Sequence, residues 1–520
     1  MKDNSFLGTE KTGRLLLKLA VPAVTAQLVN LLYNLVDRIY IGHIPEIGTA
    51  ALTGVGVCLP VILLISAFAY LIGSGGAPRA SIFMGAGDDD TAEKILGNCF
   101  TLLVAASVAL TVVFTVWNEP LLMAFGASEK TVGYGAEYMS VYALGTIFVL
   151  MALGLNVFIS AQGFTVISMV SVIIGAALNI ALDPVFIFAL GMNVRGAAIA
   201  TVISQAASCV FVVAFLASRH SLLRLKWKNF LLRKKIVVPC LLLGISPFIM
   251  QATESVITVC FNSSLQAAKG DIAVGAMTVL SSIMMFCMMP LQGITQGAQP
   301  IVSYNFGAKN ASRVKETFRY TFIVCCAYTF VLWGVVQLFP QAVARAFSSD
   351  EELIVYTARA LRIYMAVACV FGAQIACQQT FVAIGKAGIS FFLAVLRKII
   401  LLLPLIYIMP AIFSSDPATA IYAAEPVADF LAVATTVSCF IVFFGRAMKK
   451  LEAEQAEECA RADAVQNENL DSDNGETQSA GTGATVFSAA EDKGGAAATA
   501  LTDGAKKGES KDFSSHKEND

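Results

Sequence analysis

Read in windows of about 19 residues, the chain falls into twelve apolar runs separated by short polar stretches. They lie near 17–41, 51–73, 97–117, 137–159, 166–190, 196–217, 237–262, 272–294, 320–340, 354–381, 391–412 and 419–444. Roughly 20 apolar residues suffice to cross a bilayer. In lipid an open-ended segment must satisfy its own backbone, so each run predicts a helix. The expected fold is therefore an all-α polytopic membrane protein of twelve transmembrane helices. One run breaks its own pattern: LNIALDPVFIF, from Leu178 to Phe188, holds an asparagine, an aspartate and a proline among apolar residues. A carboxylate in hydrocarbon costs at least about 2–3 kcal/mol. A proline within a helix leaves a backbone carbonyl without its donor. Neither belongs in a passive anchor.

The runs repeat. An offset of 222 residues pairs Gly75 with Gly297, Pro78 with Pro300, Gly85 with Gly307, Glu129 with Glu351, Tyr142 with Tyr364 and Gly163 with Gly385 in one ungapped register. An offset of 225 before the second run pairs Pro22 with Pro247 and Thr53 with Thr278. Each half carries six spans, an even number, so both halves start on the same side of the membrane. Such parallel repeats are typical of transporters that alternate access between two lobes. The expected organisation is a first lobe at 1–217, a linker at 218–236, a second lobe at 237–445 and a tail at 446–520.

Composition supports this reading. Of 520 residues, 57% are hydrophobic and 14% charged, with a mean hydropathy of +0.70, too few charges for a soluble globule. A formal net charge of −1 excludes a globally basic nucleic-acid binder. The linker SRHSLLRLKWKNFLLRKK concentrates Lys and Arg, which predicts cytoplasmic termini. The start of the chain shows no secretory leader pattern, so the first span is expected to be retained. Beyond Lys450 the chain turns to Ala, Gly, Ser, Thr and mixed charge, a composition expected to stay disordered. The twelve cysteines are scattered without CxxC and read as small apolar side chains, and the three histidines suggest no metal site.

Candidate chemistry lies in polar residues within the spans. Asn179 and Asp183 are four apart on one helix face, with Pro184 expected to bend the helix beside them. Thr201 in the next span and Asp37 in the first complete an oxygen-only group, suited to holding a hard cation or a proton. By the two offsets Asp37 maps onto Asn262, Asn179 onto Leu401 and Asp183 onto Leu405, so the acidic group is private to the first lobe. The plainer alternative pairs Asp37 with Arg38 and lets Asp183 snorkel to water. Glu254 sits mid-span and suits a cationic substrate, a second ion or a local hydrogen bond. Glu425 and Asp429, near the start of the last span, read as structural. Gln374, Gln378, Tyr138, Tyr142, Tyr364 and the run Met284, Met285, Met288 and Met289 either line a cavity or pack helices.

Several stretches together resemble the MATE family, the multidrug and toxic compound extrusion transporters, in its bacterial DinF-like branch. They are LVDRIYIGHI, GSGGAPRASIFMGAGD, LNIALDPVFIF, GAAIAT, GITQGAQPIVSYNFGAKN and LRKIILLLPLIYIMP, and the likeness spans about residues 10 to 447. It implies two six-helix lobes in a V and a central cavity, in a bacterial inner-membrane protein that works as a monomer. It also implies exchange of lipophilic, often cationic small molecules for Na⁺ or H⁺. The residues that resemble the first-lobe ion site of such proteins are Asp37, Asn179, Asp183 and Thr201. A carboxylate used in another branch falls near Glu254, but its aspartate partner is replaced by the Gln374 and Gln378 region.

Three other functions fit the sequence less well, and one of them, a receptor or pure scaffold, would not need the duplicated lobes. An exporter of lipid-linked or polysaccharide precursors would want a basic cavity, whereas the mid-span charges read as acidic. A membrane-embedded enzyme would want a nucleophile elbow, a paired-histidine metal helix or a phosphate loop, and none of these motifs is present.

Overall fold

The computed structural model describes residues 5–481 other than 126, 128, 130, 348, 349 and 414. Among the described residues, ten helices are long and apolar enough to cross a membrane, and two bent pairs bring the number to twelve if each pair is one span. The first half comprises α1 (Thr12–Gly42), α2 (Gly48–Gly85), α3 (Asp89–Val116), the bent α4 (Val132–Leu144 and Thr146–Ala161), α5 (Thr165–Pro184) and α6 (Asn193–Ala217). The second comprises α7 (Lys234–Lys269), α8 (Asp271–Gly307), α9 (Ala311–Leu338), the bent α10 (Glu351–Tyr364 and Phe371–Ala383), α11 (starting as Ala387–Val395) and α12 (Pro417–Gly481). A large apolar core fills each half.

The repeat read from the sequence is a repeat of geometry. Asp88 caps α3 by accepting from the Thr91 amide at 3.0 Å, and Asn310, its counterpart, caps α9 by accepting from the Arg313 amide at 3.1 Å. Gly87 takes φ +78° in the turn before the first cap, and Lys309 takes φ +56° before the second. The 58° break in α4 falls at Gly145, and the 49° break in α10 covers 365–367, which includes its counterpart Val367.

Two π-helical stretches break that symmetry. Val185–Ala189 continues α5 directly after Pro184, and Leu396–Leu402 interrupts α11 before it resumes as Leu403–Ile412. Their counterparts, 407–411 and 174–180, are α-helical. A π-bulge widens the helix by one residue per turn and frequently marks a functional position. Here each one adjoins or contains buried charge.

Several helices outrun the apolar stretches that predicted them. GSGGAPRASIFMG is helical to the end of α2, and QGAQPIVSYNFG to the end of α8. These extensions join the halves at the end that carries the linker. A Cβ on Gly85 would lie 1.9 Å from the Tyr304 carbonyl oxygen, and one on Gly307 would lie 1.8 Å from that of Ile82. Since Ile82 and Tyr304 are themselves related by the offset, the contact is reciprocal. Gly75 meets Cys240 and Gly244, and Gly297 meets Ala20 in the same manner. Higher along the same seam Gln27 Nε2 donates to Gln296 Oε1 at 3.1 Å, and the Phe68 and Phe248 rings meet edge to face at 5.2 Å. The short helix Ser5–Thr9 is tied to this end as well, its Leu7 carbonyl accepting from Asn305 at 2.9 Å and Arg313 at 3.2 Å.

The tail departs from its expected disorder. Helix α12 runs past the boundary drawn at 446 to Gly481, Met448 and Leu451 are buried, and Lys315 and Lys309 pair with Glu452 and Glu458. AMKKLEAEQAEE is poor in large apolar residues, yet Ala, Glu and Lys are strong helix formers, and a few apolar positions on one face suffice to dock it. Residues 482–520, the remainder of the expected tail, lie outside the described residues.

Backbone-to-backbone packing leaves no room for a side chain, and overpacking costs about 1–3 kcal/mol. Gly85→Ala and Gly307→Ala should each lower the thermal midpoint of the detergent-solubilised protein by similar amounts. Gly445→Ala, which meets open space, should leave it unchanged or raise it. Equal midpoints for all three variants would contradict the seam.

Candidate functional site

Helices α5 and α6 approach closely because small residues face each other. A Cβ on Gly175 would lie 2.4 Å from Ser208 Oγ, and that hydroxyl donates to the Ser171 carbonyl at 2.9 Å. Small residues of this kind let membrane helices pack backbone to backbone. The close packing brings Thr201 of α6 level with Asn179 of α5. Asn179 Nδ2 donates to Asp183 Oδ1 at 3.2 Å and to Thr201 Oγ1 at 3.4 Å, while Thr201 donates to the Ala197 carbonyl at 3.0 Å. Asp183 is fully buried, and Asn179 and Thr201 nearly so. Asp37, entering from α1, meets Asp183 carboxyl to carboxyl.

Four residues selected from the sequence are thus in one cluster. Its bonding is unbalanced: Asp37 Oδ1, Asn179 Oδ1 and Asp183 Oδ2 are buried without a hydrogen-bond donor. All three atoms are acceptors. Two carboxyl groups sharing a buried site need positive charge between them, and a monovalent metal ion or a proton fits this donor set. Arg38, the partner in the plainer reading, is exposed. Pro184 ends the α-helical part of α5, and the π-helical stretch after it begins two residues beyond Asp183. Tyr138 stacks on Tyr142 at 5.9 Å. Tyr33, one turn before Asp37, lies on the side of α1 that faces Gln205 of α6. Tyr33 and Gln205 were missed, although their spacing of four from Asp37 and from Thr201 would have placed them on the same faces.

The second half holds a different cluster. Arg397 and Lys398, inside the π-helical stretch of α11, are both buried. Arg397 Nε donates to Asp429 Oδ1 at 2.7 Å and Nη2 to Glu425 Oε1 at 3.3 Å, with its guanidinium over the Phe371 ring at 4.5 Å. Lys398 Nζ donates to Glu254 Oε2 at 2.9 Å. The reading of mid-span charge as purely acidic is therefore corrected. The two cations in LRKIILLL are the signal in the sequence that stands against it. The structural role expected of Glu425 and Asp429 fits their pairing with Arg397. Gln378 Nε2 donates to Met250 Sδ at 3.3 Å, Gln374 is buried with its Oε1 lacking a donor, and Tyr364 packs edge to face on Phe261 in the core. Among the methionines, Met285 is exposed.

Comparison with known proteins places this arrangement. The MatE family model matches residues 22–185 and 247–408, one stretch in each half. The chain belongs to the MatE family. Its members are transporters rather than enzymes, and the duplicated match coincides with the repeat. A curated relative, the multidrug export protein MepA of Staphylococcus haemolyticus, is 23% identical over 436 residues, covering 83% of this chain and 95% of its own length. The solved MATE multidrug transporter DinF-BH is 35% identical, with a TM-score of 0.78 over 85% of this chain and 97% of that one. An outward-facing MATE transporter is similar in fold, with 21% identity, a TM-score of 0.78 and coverage of 87% and 99%.

Removing one partner of a buried ion pair costs about 3–5 kcal/mol. Arg397→Met, which strands two carboxylates, should destabilise the solubilised protein by that amount, measured as a fall in its unfolding midpoint. Asn179→Ala removes only weak donors and should cost far less. Equal losses would mean that Arg397 is not the hub of its cluster.

Proposed function

We propose that the chain is a secondary active exporter that exchanges lipophilic, often cationic compounds for Na⁺ or H⁺ by alternating access of its two halves. The observation that carries this reading is the group of three acceptor oxygens without a donor, on Asp37, Asn179 and Asp183, buried in one half and with no carboxylate at the matching positions of its repeat. A carboxyl pair in the membrane is tolerable only with a cation or proton between the groups. Its occupancy therefore sets the free energy of whichever arrangement encloses it, and a ligand shifts a two-state equilibrium by its differential affinity. An ion entering the first half from outside favours an arrangement that holds the exported compound less well, and the compound leaves outward. The substrate class follows the relatives, since MepA is a multidrug export protein and DinF-BH a multidrug transporter. The basic linker supports cytoplasmic termini, and the seam of glycines then closes the cytoplasmic end.

A second reading, export of a lipid-linked precursor, gains support from the buried Arg397 and Lys398. Both cations are already paired with carboxylates that outnumber them, so the cluster offers an anionic headgroup little.

The test is efflux of a lipophilic cationic dye from proteoliposomes under a Na⁺ gradient and a pH gradient imposed separately. One gradient should drive export by the unaltered protein, and Asp183→Asn should reduce coupled export to background. Normal export by that variant would exclude the mechanism. Failure of both gradients to move the dye would return the lipid-linked reading.

A further inference from the structure

The second-half cluster holds three carboxylates, Glu254, Glu425 and Asp429, against two cations, Arg397 and Lys398. If all are ionised, one negative charge is uncompensated. The five groups are not equally placed. The side chains of Arg397, Lys398, Glu425 and Asp429 are all less than a tenth exposed, whereas that of Glu254 is 52% exposed. Glu254 is also far from either end of α7, which runs from Lys234 to Lys269. A charged side chain exposed at that depth faces lipid or a cleft, and lipid is excluded by its cost. Its position agrees with a cleft wall. Glu254 is six residues beyond Phe248, the uppermost ring contact of the seam, hence about 9 Å farther along the helix.

Lys398 thus reaches out from the protein interior to neutralise a carboxylate on the cleft. Its neighbour along α11, Arg397, is shared by two carboxylates, and Glu425 takes the longer of the two bonds to that single guanidinium, 3.3 Å against 2.7 Å for Asp429, which leaves Glu425 the least well satisfied. Gln374 adds an independent sign of polar demand. It is buried with its Oε1 lacking a donor. Along α10 it lies between Phe371, which stacks under Arg397, and Gln378, which bonds to α7 one turn before Glu254.

We propose that Glu254 binds one organic monocation, and that Lys398 is the resident cation which this ligand displaces and which then passes to Glu425. With the ligand in place, three positive charges face three negative ones, and neither the carboxylate nor the lysine is stranded. The charge count limits the site to a single positive charge. The ligand class rests on the export reading; the exchange itself rests on the cluster.

The test is equilibrium binding of a fluorescent lipophilic monocation to the purified full-length protein in detergent, beside a neutral analogue of the same ring system and beside NaCl. Lys398→Met should bind the cation about tenfold tighter than the unaltered protein, because the competitor is gone. Glu425→Gln should bind it about tenfold more weakly, because the displaced lysine has lost its second partner. Lys398→Arg should restore near-normal affinity, and Glu254→Gln combined with Lys398→Met should abolish the gain. The exchange is overturned if Lys398→Met binds no tighter, if the gain survives loss of Glu254, or if the neutral analogue follows the same pattern. Should Lys398→Met fail to fold, unchanged or tighter binding by Glu425→Gln overturns it instead. Competition by Na⁺ with the same variant pattern would assign the site to the metal ion and overturn the organic ligand. Intact binding shifts with no gradient-driven export would count against the export reading alone.

Discussion

A charge held inside a bilayer must be neutralised or hydrated, and both buried polar clusters of this chain answer that demand. The two halves answer it in opposite ways. In the first half, two carboxyl groups and an amide oxygen meet with no ion pair to them among the described residues, and in the proposed function an exchangeable ion or proton supplies neutrality. In the second half, arginine and lysine from α11 supply it internally. One scaffold duplicated thus carries one site that depends on its surroundings and one that is nearly self-sufficient. In the proposed export cycle, that difference gives the two halves unequal roles.

The backbone is adapted to the same end. Where the repeat is obeyed, as in the caps of α3 and α9 and the breaks of α4 and α10, the geometry serves the scaffold. Where it is broken by a π-helical stretch, charge is close by: Asp183 just before one stretch, Arg397 and Lys398 within the other. A π-bulge shifts the register of side chains after it. Arg397 and Lys398 lie within such a stretch, where the other half has Gly175 and Ala176 in regular α-helix. The glycine seam works at a different level. Its bare backbones hold the halves together over short segments at one end only, through reciprocal contacts that the repeat supplies twice.

Most of the fold was legible because hydropathy and the 222-residue offset are direct records of membrane crossing and duplication. Helix ends were less so. GSGGAPRASIFMG and QGAQPIVSYNFG carry polar and small residues that lower the hydropathy of a window, and their helicity follows from packing against the other half. The tail misled for the complementary reason, since low hydrophobicity says nothing of helix propensity. Asp37, Asn179, Asp183 and Thr201 were found because they conflict with their surroundings and lack counterparts. Glu254 was seen but its partner was not, because pairing between residues 144 apart leaves no local trace. Arg397 and Lys398 were in plain view within a span, yet their meaning depends on Glu425 and Asp429, which only the folded chain brings to them.

The most direct test is whether occupancy of the first-half site moves the seam. Spin labels at Asp89→Cys and Ser312→Cys, exposed positions on the two sides of the closed end, report the separation of the halves in a background with reactive native cysteines removed. Adding Na⁺, or lowering pH in its absence, should shift the distance distribution for the otherwise unaltered protein, and Asp183→Asn should abolish the response. A distribution indifferent to both ions, or one that responds equally in the variant, would contradict coupling between the buried carboxylates and the opening of the halves.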